Sequence, residues 1–162
     1  MAGASNPPCF ISANVTGSLY SRLRGHRCRT SSSDTRIRVR FEGEICYCYA
    51  DTAVIRDPVR TRRAFHENLV VIAEVLSAST RRTDEGEKLR AYTSIPSLLV
   101  YLLIEQEEAF VVARRTETGF VREEYEGLAA IVPLPEIGAV LPLAEVYEAI
   151  DFVPEQPPEE PA

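Results

Sequence analysis

The chain has little cysteine, little histidine and no long apolar run among its 162 residues. Four cysteines are too few for a disulfide scaffold, and Cys46 and Cys48 lack the two-residue gap of a structural zinc site or a redox pair. No apolar stretch approaches the roughly 20 residues of a membrane-spanning helix. The first eight residues also lack the basic flank and apolar segment of a signal peptide. We therefore expect a cytoplasmic protein with no membrane partner.

Several enzyme signatures are missing as well. The sequence has no G-x-S-x-G nucleophile motif, no P-loop and no glycine-rich dinucleotide fingerprint. Its two histidines, His26 and His66, are not at metal-ligand spacing. Serine hydrolases, NTPases and histidine-based metal sites are therefore disfavoured. The length and the 45% hydrophobic content are those of one globular domain with a core.

Lysine is nearly absent, because Lys88 is the only one and the other 17 basic residues are arginines. The net charge of −6 is also unevenly distributed. Residues 1–65 contain 11 arginines against 5 acids, whereas residues 66–162 contain 7 basic residues against 19 acids. A basic half could follow a phosphate backbone, and an acidic half could hold a metal ion or simply keep the protein in solution.

The order of predicted elements is that of a mixed α/β domain with one central sheet. Apolar residues at every fourth position predict a helix over 10–24, and the run LVVIAEVL over 69–76 predicts a central strand covered on both faces. A second helix is predicted over 81–94. Residues 1–9 and the acidic, proline-rich tail 154–162 are expected to be disordered, which leaves a domain over 10–153. The remaining predictions are strands over 27–33, 35–41, 45–55, 98–104, 109–113 and 120–125, and a last helix over 141–150.

Two carboxylates stand within apolar strand sequence. Seven of the eight residues in LVVIAEVL are apolar, so Glu74 should be buried, and Asp51 directly precedes the apolar Ala53, Val54 and Ile55. A buried charge persists only when it is paired, protonated or bound to a metal ion. We therefore interpret Asp51 and Glu74 as candidates for one common site, with structural salt bridges to arginine as the alternative.

A spacing of four residues links Asp84, Lys88 and Tyr92 on one face of the predicted helix. The simple interpretation is a solvent-exposed ion pair. The other interpretation is functional, because a compact ammonium group can act in ways that a planar guanidinium cannot.

Arginine alternates with apolar residues in the segment 36–41. Arg36, Arg38 and Arg40 should lie on one face of this strand, which makes them candidates for phosphate contacts with nucleic acid. Alternatively, this face is a solvated strand edge, since alternating charges also discourage edge-to-edge aggregation.

Together these residues resemble a known nuclease pattern, the PD-(D/E)XK core, in which two strand-borne acids and a lysine meet. More narrowly, Glu74 to Thr80 (EVLSAST), then Asp84, Lys88 and Tyr92, then Pro96-Ser97-Leu98 resemble the Uma family of restriction-endonuclease-like proteins. The resemblance extends over about 11–152 and is specific over 69–97. It implies a bacterial protein with a restriction-endonuclease-like fold, a central mixed sheet flanked by helices.

The resemblance also implies a mechanism. Asp51 and Glu74 match the family's metal-binding acids, Lys88 matches a lysine displaced onto the following helix, and Asp84 matches a further acidic position. Leu76 occupies the place of the lysine in the literal E-x-K tripeptide. The resemblance implies a Mg²⁺- or Mn²⁺-dependent DNA endonuclease that acts as a homodimer. The alternatives are a catalytically inactive nuclease-fold domain that binds nucleic acid or protein, and a metal-dependent phosphoesterase with a smaller substrate.

Overall fold

The computed structural model describes residues 7–58 and 65–152. Within them the chain forms four α-helices and ten strands. In chain order these elements are α1 (Pro7–Arg22), β1 (Cys28–Ser32), β2 (Arg36–Phe41), β3 (Glu44–Tyr49), β4 (Thr52–Arg56), β5 (Leu69–Val75), α2 (Arg81–Glu85), α3 (Glu87–Thr93), β6 (Val100–Ile104), β7 (Phe110–Arg115), β8 (Arg122–Glu126), β9 (Ile131–Leu134), β10 (Ala139–Pro142) and α4 (Leu143–Val146).

Six strands form one central sheet in the order β1-β4-β5-β6-β7-β8. Only the β5–β6 pair is parallel, so the sheet is mixed, as the sequence predicts. All residues of β5 are buried, which confirms the expectation of a central strand covered on both faces. Two separate hairpins, β2–β3 and β9–β10, accompany this sheet.

The central sheet separates two apolar cores. The first core joins the sheet to α1, α4 and the β9–β10 hairpin, and Ile11, Val15 and Leu19 of α1 are fully buried in it. The second core lies on the other face, where α3 and the β2–β3 hairpin cover the sheet. The candidate site belongs to this second layer.

The first helix begins earlier than the sequence indicates. It starts at Pro7, so residues 7–9, which we expected to be unstructured, are helical. Proline suits the first turn of a helix because the amide proton it lacks has no helical partner there. The predicted acidic tail and residues 1–6 lie outside the described residues.

The strand predicted over 45–55 is wrong as a single element. It is divided into β3, which pairs only with β2, and β4, which pairs with β1 and β5 in the central sheet. The chain leaves one sheet and enters the other at Ala50 and Asp51. A continuous apolar and β-branched sequence does not show such a change of sheet.

Two helix predictions also need correction. The helix over 81–94 is divided into α2 and α3 at Gly86, where the backbone leaves helical geometry with φ −113° and ψ −95°. The helix over 141–150 is replaced by β10 and the short α4. The β9–β10 hairpin was not predicted, because Pro133, Pro135 and Pro142 obscure its strand pattern. Within the described ranges, no helix combines the length and apolarity required to cross a bilayer.

Candidate active site

Glu74 lies at the carboxyl end of β5 with its side chain turned toward the second core. Side chains alternate between the two faces of a strand, so Glu74 lies on the same face as Ile72, which belongs to that core. Only 2% of the residue is exposed. The sequence-based prediction of a buried carboxylate is therefore confirmed.

Glu74 is paired on several sides. Oε1 accepts hydrogen bonds from Lys88 Nζ at 3.1 Å and from the Tyr92 hydroxyl at 3.0 Å. Oε2 accepts a longer hydrogen bond, 3.4 Å, from the backbone N–H of Asp51. Burial raises the pKa of Glu74 to about 7, and the positive charge of Lys88 offsets only part of this effect. The group therefore titrates near neutral pH.

Asp51 occupies the break between β3 and β4. Antiparallel pairing of Thr52 with Ala73 brings Asp51, just before the start of β4, and Glu74, near the end of β5, to the same edge of the sheet. Asp51 Oδ2 accepts a hydrogen bond of 2.8 Å from the backbone N–H of Val75, the residue after Glu74. The structure thus joins the two predicted acids through reciprocal contacts between backbone and side chain.

Lys88 connects two acids. Its Nζ lies 3.1 Å from Glu74 Oε1 and 2.9 Å from Asp84 Oδ1. Asp84 is almost fully buried, whereas 27% of the Lys88 side chain is exposed. Burial lowers the pKa of Lys88, but the charges of Glu74 and Asp84 outweigh burial and raise it overall. The Asp84–Lys88 pair therefore faces the core, and the simple interpretation of a solvent-exposed pair is wrong.

Two tyrosines support this cluster, and the sequence analysis assigned a site role to neither. Tyr92 is fully buried and donates to Glu74, while Tyr101 of β6 donates to the backbone carbonyl of Asp84 at 3.0 Å. Their rings meet edge to face with centroids 5.5 Å apart. The four-residue spacing from Lys88 was a signal for Tyr92, whereas Tyr101 looks like any other residue of a buried strand.

The predicted basic face lies on the β2–β3 hairpin. Ile37 and Val39 are buried, and the three arginines between and beside them point away from the core. Arg36 and Arg40 are exposed, whereas Arg38 is partly covered and pairs with Glu67 at 2.6 Å. The predicted alternation is therefore present, although one arginine of the three already has a carboxylate partner.

The cysteines of β3 remain unpaired thiols. Burial, followed by the neighbouring Cys46, raises the pKa of Cys48 to about 11, so Cys48 stays protonated at neutral pH. This agrees with a sequence in which Cys46 and Cys48 lack the spacing of a zinc site or a redox pair.

A divalent metal ion is compatible with the oxygen donors of Asp51 and Glu74. Within residues 7–58 and 65–152, no three His, Cys, Asp or Glu side chains form a group that could hold a metal ion by themselves. Mg²⁺ does not need such a group, because it commonly binds through one or two carboxylates while keeping several waters and substrate oxygens. The carboxylates of Asp51 and Glu74, with the partly exposed ammonium of Lys88 beside them, therefore fit Mg²⁺ or Mn²⁺.

Comparison with protein families gives this geometry a context. The sequence matches the model of the Uma2 family, described as "Putative restriction endonuclease", over residues 1–144. The chain belongs to this family. The family predicted from the sequence is thereby confirmed.

Two further comparisons place this Uma2 chain among known proteins. The uncharacterized protein slr1290 of Synechocystis sp. is 34% identical over 105 residues, which is 64% of this chain and 54% of that protein. The Uma2 chain therefore spans about half the length of this curated relative. A crystal structure from Anabaena variabilis ATCC 29413, described as a putative nuclease belonging to DUF820, matches with a TM-score of 0.68. That match covers 88% of this chain and 81% of the other, with 17% identity.

At this level of identity the structural match shows the fold. The predicted central mixed sheet flanked by helices is confirmed, and the Anabaena variabilis protein shares this fold.

Proposed function

We propose that this Uma2 chain is a Mg²⁺- or Mn²⁺-dependent DNA endonuclease that hydrolyses phosphodiester bonds. One observation carries the proposal: Asp51, Glu74 and Lys88, which lie on three separate elements, meet at one end of the central sheet. Phosphodiester hydrolysis needs an activated water and neutralisation of the charge that develops on the phosphate. Two carboxylates and one ammonium group are sufficient for both tasks when a divalent ion is bound.

Each residue has a distinct task in this proposal. Asp51 and Glu74 would hold the metal ion, which would lower the pKa of a bound water and bind phosphate oxygens. Lys88 would orient that water and stabilise the developing negative charge, because its ammonium is mobile and partly exposed. Asp84 acts through Lys88, which makes it a positioning residue.

The arginines of β2 would contact the phosphate backbone of DNA. Arg36 and Arg40 are exposed on the outer side of the hairpin that covers the site layer. Phosphate contacts of this kind position a nucleic acid without reading its sequence. We further propose that two copies of the chain act together, since cleavage of both strands of a duplex needs two sites.

The test is nicking of supercoiled plasmid by the full chain in Mg²⁺ or Mn²⁺. We expect Glu74→Gln and Lys88→Arg each to reduce the nicking rate about a hundredfold or more. Glu74→Gln removes a negative charge from the proposed metal ligands, and Lys88→Arg replaces a compact ammonium with a planar guanidinium. Melting followed by circular dichroism should show that both variants remain folded.

Matched controls come from the chain itself. Glu145→Gln removes an acid that pairs with Arg22 on the other face of the sheet, and Arg90→Lys changes an exposed basic residue on the same helix as Lys88. Both controls should nick at the wild-type rate. Normal nicking by Glu74→Gln, or no nicking by the wild type with either metal, would contradict the proposal.

A second candidate is a catalytically inactive nuclease fold that binds nucleic acid. The observation in its favour is that Lys88 already contacts both Glu74 and Asp84, so the proposed metal ligand Glu74 has a cationic partner without a metal ion. Under this alternative, the wild type binds DNA but does not nick plasmid in Mg²⁺ or Mn²⁺. Glu74→Gln then binds DNA as tightly as the wild type does.

A further inference from the structure

The outer face of the β2–β3 hairpin combines arginines with exposed aromatic residues. Ile37 and Val39 fix the orientation of β2 by packing into the second core. On β3 the large residues remain open to solvent: Ile45 is 52% exposed, Tyr47 43% and Tyr49 55%. Strand pairing sets each of them opposite one arginine. We call this surface the Arg–Tyr face, and it comprises Arg36, Arg38, Arg40, Ile45, Tyr47 and Tyr49.

The charge of the Arg–Tyr face is positive. Arg38 is compensated by Glu67 at 2.6 Å. Arg36 and Arg40 have no carboxylate within 4 Å among the residues that the structure describes. The guanidinium of Arg36 lies over the Tyr47 ring, 3.8 Å from its centroid, so it covers one face of this ring and presents its own outer plane for stacking. A fitting partner must therefore bring both negative charge and flat aromatic groups.

Nucleic acid with unpaired bases has both properties. The faces of paired bases are buried in the stack of a duplex, whereas an unpaired base can stack on a tyrosine ring or on a guanidinium plane. The position of Tyr49 adds a link to the site, because it precedes the candidate metal ligand Asp51 by two residues and their Cα atoms are at most about 7.6 Å apart. A base on Tyr49 would therefore lie on the segment that leads directly to Asp51.

We infer that the Arg–Tyr face binds single-stranded DNA, with bases stacked on Tyr47 and Tyr49 and phosphates on Arg36 and Arg40. This inference rests on the proposed function and gives its substrate class: DNA with an unpaired segment beside the bond that is cut. Single-stranded RNA offers the same stacking chemistry, so the test includes it as a separate ligand.

A second copy of this chain is a poorer occupant of the surface. In a two-fold symmetric interface the same surface meets itself, which would bring the arginines of the two copies together. Like charges in an interface cost several kcal/mol. A single-stranded nucleic acid instead brings phosphates to the arginines and bases to the exposed tyrosine rings.

The experiment measures binding of the full chain in EDTA, where a metal-dependent nuclease cannot cut. The ligands are a fluorescein-labelled 20-nucleotide DNA strand, its duplex and the RNA strand of the same sequence, followed by fluorescence anisotropy. We expect the single strand to bind more tightly than the duplex. Tyr49→Leu and Tyr47→Leu should each weaken single-strand binding roughly tenfold while changing duplex binding less than twofold.

Two further variants separate stacking from structure. Phenylalanine at position 47 or 49 keeps the ring, so Tyr47→Phe and Tyr49→Phe should retain wild-type binding. Tyr20→Leu removes a tyrosine of similar exposure, 51%, from α1 on the opposite side of the sheet, and should have no effect. Because the chain contains no tryptophan, Tyr49→Trp would add a single fluorophore whose emission is quenched when a base stacks on it.

Three outcomes would overturn the inference. These are equal weakening of single-strand and duplex binding by the leucine variants, tighter binding of RNA than of DNA, and self-association that Tyr47→Leu abolishes in sedimentation. The proposed nuclease fails separately: single-strand binding in EDTA together with intact plasmid in Mg²⁺ would reject the cleavage and leave the binding surface in place.

Discussion

At the scale of single residues, the site depends on Glu74, a buried carboxylate that finds no hydrogen-bond donor among the side chains of its own strand. Glu74 is surrounded by apolar residues on β5, and an unpaired charge there would cost several kcal/mol. Donors from three other places offset part of this cost: the ammonium of Lys88, the hydroxyl of Tyr92 and the backbone N–H of Asp51. The apolar sequence around Glu74 made its burial predictable, and the four-residue spacing placed Tyr92 on the face of Lys88, but nothing local identified Glu74 as the acceptor of the Tyr92 hydroxyl.

The elevated pKa of Glu74 gives a pH dependence of stability. Burial raises this pKa from an ordinary 4.5 to about 7, so the folded state holds the proton more tightly than the unfolded chain does. The resulting stabilisation is complete below about pH 4.5 and is lost as the pH rises through about 7. Relative to Glu74→Gln, which is always neutral, the wild type should lose up to about 3 kcal/mol of unfolding free energy across this range.

Urea denaturation in EDTA at pH 5, 6 and 7.5 measures this difference. The comparison with Glu74→Gln cancels the titration of the other groups. Parallel pH profiles for the two proteins would show that Glu74 titrates at the same pH in the folded and unfolded chains.

At the scale of elements, the site depends on breaks in regular structure. Asp51 lies between β3 and β4, and Gly86 separates α2 from α3, which carry Asp84 and Lys88. The sequence patterns predicted a strand at every strand of the central sheet, but they predicted one strand over β3 and β4 and one helix over α2 and α3. Such breaks are set by contacts between distant segments, for example the hydrogen bond from Val75 to Asp51, and adjacent residues do not encode them.

Gly86 permits a close backbone approach that any larger residue would prevent. A Cβ atom at this position would lie 2.7 Å from the backbone carbonyl oxygen of Arg82. Gly86→Ala should therefore lower the unfolding free energy by about 1–3 kcal/mol, the usual cost of overpacking. It should also reduce nicking, because Asp84 and Lys88 flank the break.

Gly17 provides the matched control in chemical denaturation. It lies in α1, and a Cβ atom there would meet nothing within 4 Å. Gly17→Ala should raise stability by roughly 0.5–1 kcal/mol, since alanine loses less conformational entropy in a helix. Equal effects of the two substitutions would mean that the approach to Arg82 does not constrain Gly86.

At the scale of the whole molecule, the central sheet has the candidate site on one face and the apolar packing against α1, α4 and the β9–β10 hairpin on the other. The first core, with α1 and α4, contains no member of the site cluster, whereas the second contains Tyr92 and Tyr101 beside Glu74. The mixed α/β class and the family could be predicted from the sequence, because they depend on β5 and on the residues that follow it. The β2–β3 hairpin as a separate layer could not, since its pairing is set by the change of sheet at Asp51.

Metal binding should appear in the stability of the whole chain. A ligand that binds only the folded state at about a hundred times its Kd contributes about 2.7 kcal/mol, which corresponds to roughly 5–10 °C in Tm for a domain of this size. We expect Mg²⁺ or Mn²⁺ to raise the Tm of the wild type and of Glu145→Gln. The double variant Asp51→Asn/Glu74→Gln should show no rise in Tm with the metal ion. A rise equal to that of the wild type would mean that the ion binds at another site.

The isolation of Lys88 has a practical consequence. It is the only lysine in the chain, 27% of its side chain is exposed, and its ammonium lies between Glu74 and Asp84. Reductive methylation with ¹³C-formaldehyde would therefore label the centre of the cluster without background from other side-chain amines. Beside the signal of the α-amino group, the methyl resonance of Lys88 would then report metal binding, proton exchange and substrate binding, which overlapping signals obscure in lysine-rich proteins.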